Sequence, residues 1–365
     1  MKTPPSPLHS SFLNHKSVIF GVAGPKLLPE EMAFFAETRP LGFILFSRNI
    51  SDKAQLSSLI ADLRTAVKNP YSPIFIDQEG GRVCRLKAPT WYTPPAAAIF
   101  GEIANTNLSD AKRALRLSTT LIALDLVELG VSSDAIPVLD VLNNDTHAII
   151  GDRAYSADKL IVTELGRVVC ETLEEFKIAP IIKHIPGHGR ARADSHLNLP
   201  IVNATYEGLL DIDFYPFLKL NDVQLAMTAH ILYKSIDPDA PATLSKKVIS
   251  EIRDTIGFKG ILMTDCILMK ALPGTIIDKA ERALDAGCDI VLHSRGTVEE
   301  MKAIAQSIPY IKNYQDAILT KLFVQDKPRA LSDRIGIQKE LSNLLHTHLD
   351  FSTPKHTTDP TEKSD

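Results

Sequence analysis

The sequence predicts an α/β protein folded as a single (β/α)8 TIM barrel, and three observations lead there. Short apolar runs alternate with amphipathic segments of helical length from Ser17 to His293, the rhythm of parallel strands joined by helices. Eight such runs can be counted. Nearly every run empties into a residue with chemistry: Ser47-Arg48-Asn49, Asp77, Asp140, Lys183-His184, His230, Asp265 and His293. In a closed barrel those strand ends converge on one face, where active sites lie.

The strand candidates are VIFGV at 18–22, GFILF at 42–46, IFI at 74–76, VSSDAI at 131–136, IAPII at 178–182, QLAM at 224–227, GILM at 260–263 and DIVL at 289–292. Helical spacing of apolar residues marks 30–38, 53–67, 110–129, 158–175, 246–256 and 278–286. Gly130, Gly257 and Gly287 stand just past helices, where a left-handed cap residue is favoured. Thr297 to Glu300 has the T-x-x-E form of a capping box, so a further helix begins there. An open doubly wound sheet ranks second, because Gly21-Val-Ala-Gly24 lacks the full G-x-G-x-x-G spacing of a phosphate-binding turn.

A chain of 365 residues, 44% hydrophobic and with a formal charge of −4, can bury a sizeable core. The expected organisation is a lead-in over 1–16, the barrel over 17–350 and a polar, proline-bearing tail over 351–365 that is expected to be disordered. Charges of both signs are interspersed, which points to a small-molecule substrate and away from nucleic acid. No window suits a membrane span, and the N-terminal residues lack the apolar core of a signal peptide. The four cysteines form no C-x-x-C pair and read as reduced thiols. The expectation is a cytoplasmic monomer without cofactor or metal.

The densest chemistry lies at 183–200, KHIPGHGRARADSHLNLP, directly after a strand candidate. Asp194 and His196, two residues apart, form a plausible acid/base dyad, since an imidazole titrates near neutral pH and can donate and then accept a proton. Asp265 is a carboxylate at a strand terminus, and Asp77 opens DQEGGRVCR. Of Arg82 and Arg85 in that loop, one is expected to be structural and the other to face the site. A metal site built from His184, His188 and His196 is the competing reading, although the spacing matches no common zinc motif and the glycines flanking His188 suggest backbone packing. A hydrolase using Ser195 as nucleophile is weaker, because the G-x-S-x-G elbow is absent.

Several motifs together resemble glycoside hydrolase family 3, specifically its single-domain bacterial β-N-acetylglucosaminidases: GFILFSRN, IDQEGGRVCRL, PVLDV, IGDRAY, KHIPGHG with DSH, MTAHI, TDC and ALDAGCDIVL. The resemblance implies a cofactor-free retaining exo-β-N-acetylglucosaminidase acting on GlcNAc-anhydro-muropeptides in peptidoglycan recycling. Asp265 would be the nucleophile and His196, oriented by Asp194, the acid/base. Asp77, Arg85, Arg153, Lys183 and His184 would bind the sugar. A β-glucosidase of the same family and a sugar-binding protein without activity are the alternatives. The chain departs from the family pattern S-D-D-L-S-M by reading T-D-C-I-L-M at 264–269, which replaces a second carboxylate by Cys266. The 270–276 segment looks shorter than usual, and Tyr155-Ser156 replaces the common Phe-Gly.

Overall fold

Residues 11–143, 146–191, 194–195, 198–325 and 333–349 are described by a computed structural model. The strands are β1 (Lys16–Gly21), β2 (Pro40–Leu45), β3 (Ile74–Ile76), β4 (Ser133–Asp134), β5 (Ala179–Pro180), β6 (Ile182–Ile185), β7 (Ile201–Val202), β8 (Leu225–Thr228), β9 (Leu232–Tyr233), β10 (Ile261–Cys266) and β11 (Ile290–His293). Nine of them form one parallel sheet in the order β5-β4-β3-β2-β1-β11-β10-β8-β6. Its two ends, β5 and β6, are consecutive pieces of one extended stretch separated by Ile181 alone. That stretch bonds to the β4 side through Ile181 N–H to the Asp134 carbonyl at 3.0 Å, and to the β8 side through Ala229 N–H to the Ile185 carbonyl at 2.8 Å. The sheet therefore closes on itself as an eight-staved barrel. The short β7 and β9 pair separately.

Period-two alternation builds two apolar layers. Ile19, Ile44, Phe75, Met227, Ile261, Met263, Ile290 and Leu292 face inward and share one cluster with Ala179 and Ile181. Their strand neighbours Val18, Phe20, Phe43, Leu45, Ile74, Ile76, Ala226, Leu262 and Val291 belong to the larger layer beneath the helices. The inner cluster continues to Phe12 and to Phe323 at the end of the helix Asn313–Phe323, whose rings meet edge to face at 6.4 Å.

Helices occupy the expected places: Pro29–Thr38, Lys53–Ala66, Leu108–Leu129, Lys159–Glu175 and Ile276–Ala286. Gly130 and Gly287 cap two of them at φ 82° and 115°. The capping box at 297–300 is formed, with Thr297 and Glu300 exchanging side-chain to backbone bonds ahead of Val298–Ser307. Four differences stand out. The helix expected over 246–256 is Lys246–Ser250 running into a wider π turn, Glu251–Thr255. The fourth strand shrinks to two residues, and the helices Ala97–Ala104, Asn313–Phe323 and Arg334–His348 were not anticipated. Lys183, His184, Asp265 and His293 lie inside strands, because β6, β10 and β11 each run further than their apolar runs. Among the described residues no helix is long and apolar enough to cross a membrane. The tail over 351–365 lies outside the described residues.

Candidate active site

A cavity of about 360 Å³ opens at the C-terminal end of the barrel. Its charged lining comes from four staves: Asp77, Glu79 and Arg85 after β3, Lys183 and His184 on β6, Asp265 on β10 and Lys270 after it, and Arg295 after β11, with Arg153 reaching in from the loop after β4. Apolar side chains, including Ile44, Phe46, Val83, Ile149, Met227 and Leu268, make up the rest of the wall.

An ion cluster sits against this cavity. Lys183 Nζ lies 2.9 Å from Asp77 Oδ1 and 2.6 Å from Glu79 Oε1. Arg153 grips Glu79 with two prongs, Nε to Oε2 at 2.7 Å and a terminal nitrogen to Oε1 at 2.8 Å, the strong bidentate geometry of guanidinium and carboxylate. Arg85 stands 3.5 Å from Asp77 Oδ2. Burial alone would raise the Asp77 and Glu79 carboxyls, but Lys183 with Arg85 and Arg153 with Lys183 respectively hold them below the usual range. Burial would likewise discharge Lys183 and Arg153, and the same carboxylates keep both firmly protonated. Arg82 instead binds Asp152 at 2.7 Å and the carbonyls of 148–150, so it pins the Arg153 loop while Arg85 faces the cavity.

His184 is set by Asp140. Its Nδ1 lies 2.7 Å from Asp140 Oδ2, while Asp140 Oδ1 accepts the backbone N–H groups of His184 and His188. Against its own burial, Asp140 is held ionised chiefly by His184. His188 packs edge to face on His184 at 5.4 Å, and burial followed by the His184 charge lowers it to about 4, leaving a neutral ring. The glycine after it has a backbone role: a Cβ on Gly189 would stand 1.8 Å from the Val141 carbonyl oxygen.

Asp265 Oδ1 accepts the Cys266 N–H at 2.6 Å. The next carbonyl, that of Cys266, is met by His230 Nε2 at 3.1 Å, and His230 Nδ1 lies 2.7 Å from the Thr243 hydroxyl. Burial lowers the His230 pKa. A neutral ring then donates from Nε2 to the carbonyl and accepts from Thr243, which fixes its tautomer. Cys266 Sγ lies 3.0 Å from the Ser294 hydroxyl.

Of the dyad, Asp194 is half-buried and His196 lies outside the described residues. Ser195, between them, lines the cavity and its carbonyl accepts the Ala271 N–H at 3.1 Å. The loop is thereby docked on the turn that follows the Asp265 strand. Its first half is held by Arg190 to Asp213 at 2.6 Å and by the Tyr233 hydroxyl to the Gly187 carbonyl. Among the described residues no group of three or more His, Cys, Asp or Glu side chains is placed to hold a metal ion.

The structure thus gathers Asp77, Arg85, Arg153, Lys183, His184 and Asp265 around one cavity. Arg48 and Asn49 instead tie the first loop through Val22, Gly24 and Ser294 carbonyls, and His293 is buried against Phe20. Sequence reasoning missed Glu79, although it lies two residues beyond Asp77, the spacing that returns side chains of an extended chain to one face.

The model of the glycosyl hydrolase family 3 N-terminal domain matches residues 29–321. The chain belongs to glycosyl hydrolase family 3. It is 35% identical over 280 residues to a β-hexosaminidase of Nitrosomonas eutropha, an alignment that covers 75% of this chain and 79% of the relative. NagZ from Neisseria gonorrhoeae, solved with N-trifluoroacetyl-D-glucosamine, superposes with a TM-score of 0.82 at 26% identity over 92% of this chain and 99% of that one. The same NagZ has also been solved in complex with a zinc ion, with a TM-score of 0.80 at 25% identity over 93% of this chain and 100% of that one. This family 3 chain is a glycoside hydrolase of the β-N-acetylhexosaminidase class.

Proposed function

We propose that the chain is a retaining exo-β-N-acetylglucosaminidase that releases terminal β-linked GlcNAc from GlcNAc-1,6-anhydroMurNAc peptides through a covalent intermediate on Asp265. One observation carries this reading. Asp265 and Ser195 line the cavity that also holds the Asp77, Lys183, Glu79 and Arg153 cluster, so a carboxylate and the dyad loop flank a site rich in charged hydrogen-bonding groups. Such groups suit a sugar, which offers many hydroxyls and little apolar surface.

In the proposed reaction the Asp265 carboxylate attacks the anomeric carbon while His196, oriented by Asp194, protonates the departing oxygen. The bond to the leaving group breaks as the Asp265 ester forms. His196, now neutral, takes a proton from water, which attacks the same carbon and releases GlcNAc and Asp265. Ordinary retaining enzymes place two carboxyl groups about 5 to 5.5 Å apart; an imidazole on a loop docked at Ala271 fills the second role here. Lys183 spends two of its three N–H donors on Asp77 and Glu79, and the third is available to a substrate oxygen. Lys270 and Arg295 at the mouth support an acidic leaving group: both are exposed, line the cavity and have no side-chain partner among the described residues.

Asp265→Ala should abolish turnover of an aryl β-N-acetylglucosaminide, and His196→Ala should lower it by about 10²- to 10⁴-fold. With an activated leaving group the His196 variant should accumulate the glycosyl-enzyme, visible by mass spectrometry of the intact protein. Near-parental activity of Asp265→Ala would end the proposal. Faster hydrolysis of the matching glucoside would favour a β-glucosidase, and loss of activity with EDTA would favour the metal site. GlcNAc binding without hydrolysis would mark a sugar-binding protein. Removing Lys270 and Arg295 together should slow cleavage of the carboxylated disaccharide more than that of the aryl glycoside.

A further inference from the structure

Beneath the ion cluster lies a carboxyl group that the proposed reaction does not use. Asp134 ends β4, paired in register with Ile76 on one side and Pro180 on the other, and is fully buried. Its Oδ1 accepts the Gln78 N–H at 2.9 Å. Gln78 is the residue between Asp77 and Glu79, so this single bond fixes the peptide from which both cluster carboxylates project. Gln78 is anchored a second time from its side chain, which receives the Arg85 and Leu86 N–H groups and donates to the Leu86 carbonyl. The Asp134 Oδ2 has no hydrogen-bond partner among the described residues, because the nearby Lys183 ammonium is turned to Asp77 and Glu79.

We propose that Asp134 is a positioning residue of the sugar site, acting through the Gln78 amide to hold Asp77, Glu79 and Lys183 in register. The inference rests on the reading of that cluster as the place where GlcNAc binds. The charged and titratable groups facing Asp134 are Asp77 and Glu79 from the β3 loop, Lys183 from β6, and Tyr155 and Cys84. Burial, with the neighbouring Asp77 and Glu79 charges adding to it against Lys183 and the Gln78 bond, pushes the Asp134 carboxyl up to about 8. Below that pH a neutral acid adds no charge to the two carboxylates and leaves Lys183 to them. Above it a third carboxylate repels Asp77 and Glu79 and competes for Lys183. Tyr155, Lys183 and Cys84 are all shifted upward, away from this range.

The test is calorimetric binding of GlcNAc to the full chain at pH 6.5 and 9.5, for the parent and for Asp134→Asn, whose amide keeps an acceptor for Gln78 and cannot ionise. The parent Kd should rise about fivefold or more between the two pH values, with a midpoint near 8, while the ratio for Asp134→Asn stays within about twofold. A residue that served packing alone would leave both ratios equal. Equal ratios, or a parent Kd that does not change with pH, overturn the inference while the sugar site stands. If the parent binds no GlcNAc at either pH, the sugar-site reading itself falls and takes the inference with it.

Discussion

Glu79 offers the sharpest test of how the cluster is held together. It is nearly buried and accepts three charge-assisted hydrogen bonds, two from Arg153 and one from Lys183. Glu79→Gln keeps the shape but removes the charge that compensates a guanidinium and an ammonium, and it turns an amide N–H toward donors. Breaking a buried pair from one side destabilises by about 3–5 kcal/mol, because the remaining charge is left without its counter-ion. For a chain of this size that lowers Tm by roughly 4–7 °C. Lys183 then answers to Asp77 alone and loses its second anchor, so KM for an aryl β-N-acetylglucosaminide should rise about tenfold, equivalent to roughly 1.4 kcal/mol of lost binding. Thermal scans at a fixed rate and steady-state kinetics read the two effects. The double variant Glu79→Leu, Arg153→Met, which replaces the charged pair by apolar groups, should recover much of the Tm but none of the KM. A Glu79→Gln protein within about 1 °C of the parent Tm and with parental KM would refute the cluster's role.

Other outcomes follow from the same geometry. Because Asp77, Glu79 and Asp140 are held below the ordinary carboxylate range, their stabilisation is present above about pH 4 and is lost as pH falls through their folded values; acid unfolding should be less steep in Glu79→Gln. Asp134 has the opposite sign: its raised carboxyl makes stability fall as pH rises from about 4 to about 8, and thermal scans of Asp134→Asn should show that slope reduced. Gly189→Ala forces a Cβ into the Val141 carbonyl and should lower kcat by about 10²-fold through the displaced dyad loop, with a smaller change in GlcNAc affinity. Cys266→Asp places a like charge beside Asp265 and should move the acid limb of kcat/KM upward by about one pH unit; an unmoved limb would mean that Asp265 does not titrate in that limb.

The barrel was legible because its strands are short, apolar and followed by polar residues, and inward and outward side chains do alternate as the pattern implies. What was not legible follows from tertiary pairing. Lys183 and Asp265 interrupt the hydrophobic pattern, yet the backbone ladder continues through them, so the strands were drawn too short. Six of the residues taken from family motifs, Asp77, Arg85, Arg153, Lys183, His184 and Asp265, line one cavity, while His196 lies outside the described residues; Arg82 anchors the neighbouring loop and Arg85 faces the cavity. Glu79 and Asp134 were passed over for a common reason. Single carboxylates in a strand or loop carry no periodic signal; the importance of Glu79 appears only when Arg153 and Lys183 arrive from about 75 to 105 residues away, and that of Asp134 only when the Gln78 amide reaches it across the sheet.

The stretch 179–185 has one further consequence. It is the stave at which the barrel fastens, bonded to β4 at its beginning and to β8 at its end, and it also carries Lys183 and His184. In the proposed sugar site, fastening and ligand capture are therefore one mechanical event. An occupied sugar site should act as a clasp, slowing amide hydrogen exchange on both flanking staves, and mild denaturant should release the ligand at the moment this hoop springs open.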